Sequence, residues 1–179
     1  ARHGLAYAAT SLPTTALAAD GAPLEVGDLA ALGRRSAADA RAWPAFDARL
    51  RRFARLLHGL LAAPPPRLGT GAVSDALALG RLGLGLRLLG RRDMREFLRI
   101  VGMNAYDLVA DEFETPLLGG ALGLDAVLGT NFGPRAPGTV LTLLYRLAAE
   151  SAAGPRPLAQ PLGGMGALTQ ALARAAVAA

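Results

Sequence analysis

Apolar residues recur at three- and four-residue steps most regularly between residues 43 and 60. Trp43, Phe46, Leu50, Phe53, Leu57 and Leu60 fall within about 100° of arc on a helix, and Asp47, Arg49, Arg51, Arg52, Arg55 and His58 lie outside it. The spacing predicts an amphipathic helix with one buried and one solvated face. Ser36 is placed to cap it, Asp39 complements the positive end of its dipole, Pro44 kinks it or starts its main part, and Pro64-Pro65-Pro66 ends it.

Downstream the pattern stays helical. Residues 74–89 are Leu-rich but interrupted by Gly80, Gly83 and Gly85, each costing about 1 kcal/mol against alanine, so this helix needs tertiary contacts. Asp93 is placed to cap the next, with Met94, Phe97, Leu98 and Val101 as its apolar face and Arg92, Glu96 and Arg99 on the other. A short helix over 106–113 is stopped by Pro116. Residues 117–128 and 139–149 are apolar on most faces, which predicts helices that are buried or face a partner. The first 35 residues lack helical periodicity. Turn formers at Pro13, Asp20-Gly21, Pro23 and Gly27-Asp28 separate short runs at 4–8 and 23–26 that read as small strands.

The pattern therefore predicts an α+β fold, mostly helical, with a few short strands and about six helices. Three stretches divide it: strands and turns over 1–35, a helical region over 36–150, and a linker, strand and Gly-Gly-Met turn into a helix over 151–179. In the last stretch Gln160-Pro161-Leu162 meets Gly163-Gly164 and then an Ala/Leu helix. A corner without Cβ atoms admits close approach by another backbone or a flat ligand. Its place near the end of the sequence suggests a domain of something larger.

Composition changes the picture little. An apolar content of 52% over 179 residues suffices for one domain with a real core. All 19 basic residues are arginine, which reads as coding bias, and the 14 acidic residues are interspersed with them, so a net charge of +5 is a weak signal for nucleic acid. Zero cysteines exclude disulfides, thiolate metal sites and a cysteine nucleophile. No charged segment followed by an apolar run is visible at the start of the sequence, so a secretory signal is not expected, and the nearest approach to a membrane span, residues 116–133, is broken by five glycines, Asp125 and Asn131. A cytoplasmic location is expected.

Candidate chemistry is sparse. His3 and His58 have no partner at ligand spacing, so no metal is expected, and none of the four serines stands in a Gly-x-Ser-x-Gly elbow. Asp107, Asp111, Glu112 and Glu114 form an acidic cluster, read as a solvated face balancing nearby arginines. The arginines at 49, 51, 52 and 55 have their aromatic neighbours on the opposite face, which argues against nucleic-acid stacking. Gly164-Met165-Gly166 follows a strand and precedes a helix, but it lacks the third glycine and the downstream acid of a dinucleotide fingerprint.

Taken in order, the runs at 92–99 (Arg-Asp-Met-Arg-Glu-Phe-Leu-Arg), 104–113, 115–121 (Thr-Pro-Leu-Leu-Gly-Gly-Ala), 133–139 and 163–168 resemble the middle region of phytoene-desaturase-like FAD-dependent oxidoreductases. Among these, the likeness is to the group of pyridine-nucleotide-disulfide-oxidoreductase-domain-containing protein 2, from about residue 43 to residue 173. The resemblance implies the substrate domain of a two-domain flavoprotein, in which a hydride passes from an apolar substrate to FAD. It also implies that Gly163, Gly164 and Met165 lie beside the flavin, with the missing FAD-binding domain as partner and most FAD contacts outside this chain. Leu117, Leu118, Leu124 and Tyr145 are the expected substrate-cavity walls, since two helices apolar on most faces need more than solvent to face. No side chain here is expected to be catalytic. The alternative is a non-catalytic helical interaction module that binds a membrane surface or a partner protein.

Overall fold

A computed structural model describes residues 2–10, 12–61, 65–67, 72–152 and 159–178. Among them are eight α-helices and four short strands, so the fold is mostly helical with a minor β component. The strands are β1 (Tyr7–Ala9), β2 (Thr15–Ala16), β3 (Leu24–Glu25) and β4 (Gln160–Pro161). The helices are α1 (Leu29–Arg35), α2 (Ala37–Leu61), α3 (Val73–Leu88), α4 (Gly90–Ile100), α5 (Ala105–Ala110), α6 (Pro116–Val127), α7 (Thr139–Ala152) and α8 (Gly164–Val177).

The helix predicted from residue 36 is α2, and its apolar arc is its core face. Phe46, Leu50, Phe53 and Leu57 are buried, with Trp43 and Leu60 partly so. The Asp39 N–H donates to Ser36 Oγ at 3.1 Å, the cap expected of that serine. Pro44 lies in the eighth helical position without ending the helix. Pro65 and Pro66 follow its last turn, while Pro64 lies outside the described residues. His58 is half-buried rather than exposed.

Helix α2 packs lengthwise on α7, and this pair organises the core. Val140, Leu143, Leu144 and Ala148 of α7 are all buried against it. Helix α6 crosses α7 and carries Leu118, Leu122 and Ala126 into the same core, while α5 adds Leu108 and Val109. Aromatic rings fill the joints: Phe46 meets Phe113 edge-on at 4.8 Å, and Phe53 meets Phe97 at 5.5 Å.

Three expectations are corrected. The first 35 residues contain a helix, α1, which at seven residues is too short to show a period. Its start was nonetheless marked, because Asp28 accepts the N–H groups of Ala30 and Ala31 as an N-cap. Helix α4 begins at Gly90, not after Asp93, since Gly90 has φ +83° and divides α3 from α4 at a single bend. Its buried residues are Phe97 and Ile100, whereas Leu98 is exposed.

The short strands form two pairs. β2 and β3 are antiparallel, with Thr15 opposite Glu25, and β2 lies along α6. β1 pairs antiparallel with β4 from the other end of the chain, Tyr7 opposite Pro161, and Arg174 of α8 donates from Nε to the His3 carbonyl at 3.0 Å. Among the described residues no helix is long and apolar enough to cross a membrane.

Candidate functional site

Between α5 and α6 lies a cavity of about 620 Å³ that opens to solvent. Phe113, Val109 and Ala110 form one side and Pro134 closes the far end. On α6 the wall is made by Pro116, Gly119, Gly120, Gly123, Leu124 and Val127, which recur at three- and four-residue steps and so share one face. The glycines create the space. A Cβ on Gly119 or Gly123 would meet Val109 or Pro134 at 3.6 and 3.4 Å, whereas one on Gly120 would meet nothing within 4 Å.

Two buried polar residues hold these walls in place. Asp39, 1% exposed, reaches from the first turn of α2 to the segment joining α5 and α6. Its carboxylate accepts the Glu114 N–H at 3.0 Å and the Thr115 N–H at 2.8 Å. Burial pushes this carboxyl up, but the Thr115 hydroxyl, the two backbone N–H groups and Ser36 together outweigh burial and hold it below the usual aspartate range. Thr139, at the start of α7, accepts the Ala105 N–H at 2.8 Å through Oγ1 and donates to the Ala136 carbonyl at 2.9 Å. The Pro134 carbonyl in the same loop accepts the Tyr106 N–H at 3.0 Å. Both ends of α5 are thereby tied to neighbouring elements.

At the rim stand Glu114 and Tyr106, with the Arg135 guanidinium 3.5 Å over the Tyr106 ring. The other predicted carboxylates do not converge on the cavity. Asp107 accepts from Asn104 Nδ2 at 2.7 Å, Glu112 pairs with Arg49, and Asp111 lies 3.9 Å from Arg99. Of the arginine face on α2, Arg49 takes Glu112, Arg51 takes Asp47 and Arg52 takes Asp93. These cations are engaged within the molecule.

The four expected cavity walls separate. Leu124 lines the cavity. Leu117 lies on the adjacent flank of α6, in a shallow groove against β2 that also includes Leu124. Leu118 points into the core, and Tyr145 on α7 packs against the core cluster without lining the cavity. A face of glycines gives no hydrophobic-pattern signal, so the residues that shape the wall were missed. The Gly119-Gly120-x-x-Gly123 spacing within an apolar helix was the available clue.

The glycine corner before α8 stands apart from this cavity. Gly163 and Gly164 have φ of +86° and +73°, and a Cβ on Gly163 would meet the Ala167 Cβ at 3.3 Å. The double glycine is thus required by the turn itself. Nothing lies within 4 Å of a Cβ on Gly164, and Met165 is 67% exposed. The corner therefore suits the close approach of a flat group on its open side. It does not form a phosphate cradle, and the FAD expected here fits these residues only as one wall of a site. Comparison with protein-family models, characterised proteins and solved structures returns no match to this chain.

Proposed function

We propose that the chain binds an apolar small molecule in the α5–α6 cavity and serves as the substrate domain of an FAD-dependent oxidoreductase, the flavin being held mainly by segments outside this chain. The cavity carries the reading: its walls are mostly apolar, its space is made by backbone instead of side chains, and of its polar residues Glu114 and Tyr106 stand at the rim while the Thr115 hydroxyl is taken by Asp39. The exposed glycine corner supports a flat partner at the second position. When bound, FAD supplies the hydride acceptor. This chain's residues orient the substrate and exclude water, so an enzyme role does not require an acid/base pair among them.

Two measurements separate the halves of this reading. Gly120→Leu places a side chain where a Cβ meets no neighbour. It should weaken binding of the neutral dye phenylnaphthylamine at least about ten-fold while preserving thermal stability, since leucine is the better helix former. Undiminished dye binding in this variant removes the cavity from consideration. Separately, the protein purified from its complete coding sequence should show the visible absorbance of bound flavin. A colourless protein that also fails to take up added FAD overturns the oxidoreductase assignment and leaves the dye result standing.

A further inference from the structure

Helix α3 is apolar yet buries none of its residues. It leans on α2 through one flank, where Leu86 packs against the core and a Cβ on Gly85 would lie 3.1 Å from Leu56. The opposite flank carries Val73, Leu77, Leu84 and Leu88, which are 82, 51, 58 and 74% exposed. At helical spacing these four fall within about 60° of one another. Arg87 borders one edge of the stripe and Arg81 the other, and both are exposed. Across the bend at Gly90, α4 opens with Arg91, Arg92 and Arg95, also exposed. The two acids of α4 are engaged, Asp93 with Arg52 and Glu96 with Arg99.

We infer that α3, with the start of α4, is a docking surface for an anionic lipid bilayer, on which α3 lies flat with its leucine stripe among the acyl chains. Three observations select this occupant. The stripe is narrow and edged by arginines, whose stems can lie along the apolar layer while their guanidinium groups reach lipid phosphates. A second copy of the chain is disfavoured, because stacking two such stripes brings Arg81 and Arg87 of both copies together. Finally, α3 contains Gly80, Gly83 and Gly85, each costing about 1 kcal/mol, and the fold itself offers little burial to offset them. A membrane surface supplies the missing apolar contact. The inference rests on α3 and α4 and is independent of the oxidoreductase reading.

The test is co-sedimentation of the 179-residue chain with unilamellar vesicles of phosphatidylcholine alone, or of phosphatidylcholine mixed with phosphatidylglycerol. Binding is expected only to the mixed vesicles. It should weaken with added salt, fall about five-fold for each of Arg81 and Arg87 changed to Gln, and vanish in the double variant Leu77→Glu, Leu84→Glu. Because the chain has no cysteine, a polarity-sensitive fluorophore can be placed at a single site. A label at Leu77→Cys should shift to the blue on mixed vesicles, and one at Leu162→Cys, which is also exposed, should not. Failure to bind mixed vesicles overturns the proposal, as does full binding by the double glutamate variant or a blue shift at position 162 alone. A dimer in sedimentation equilibrium that the double variant abolishes reassigns the stripe to self-association.

Discussion

Asp39 shows how much one side chain can do that its sequence position conceals. As a first-turn acid it complements a helix dipole; in the fold it is buried and holds two backbone N–H groups 75 and 76 residues away. Asp39→Asn keeps the shape but removes the charge and one acceptor, so it should destabilise the chain by about 2 kcal/mol in urea unfolding. The pH dependence follows in sign. The carboxyl is held below its ordinary value of 3.8 in the folded state, so its stabilisation is complete above that value and lost as pH falls through the folded one. Wild type and Asp39→Asn should therefore converge in stability in that acid window. Thr139→Val is the matching test at the other end of α5: it strands the buried Ala105 N–H and should cost about 1 to 3 kcal/mol by the same measurement.

Among elements, α6 and α3 were both legible as apolar helices, and the fold uses them in opposite ways. Helix α6 puts Leu118 into the core, so Leu118→Ala should cost about 2 to 5 kcal/mol, while its glycine face opens the cavity. Because Leu118 lies in the core and not in the cavity wall, a change on the glycine face such as Gly120→Leu is the one that tests the cavity. Helix α3 is limited by its own backbone. Gly83 is exposed and a Cβ there meets nothing within 4 Å, so Gly83→Ala should raise helix stability by up to about 1 kcal/mol, read as slower amide exchange along α3. Periodicity located both helices because it reports spacing. It did not report which flank meets protein, because glycine and leucine on one face say nothing of what stands opposite.

At the scale of the molecule, stability is unevenly distributed. The α2–α7 pair holds most of the large buried side chains, whereas α8 buries only Ala171 and is joined to the N-terminal strand through β4. Hydrogen exchange should accordingly be slowest in α2 and α7 and much faster in α8 and α3. Equal protection throughout would mean that α8 and α3 are supported by contacts beyond those described. Apolar surface remains on these outer elements among others, at Leu84 and Leu88 of α3 and at Met165 and Leu172 of α8.

By itself the sequence determined the helical class, the core face of α2 and the serine that caps it, and the extents of α6 and α7 to within a few residues. These follow from spacing and capping, which act over one or two turns. Only the tertiary structure decided that Asp39 and Thr139 tie α5 to its neighbours, that Leu118 and Leu124 part company on α6, and that α3 is left with an open apolar flank. Each of these depends on which elements meet, and that is set by the packing of side chains far apart in the chain rather than by any local pattern.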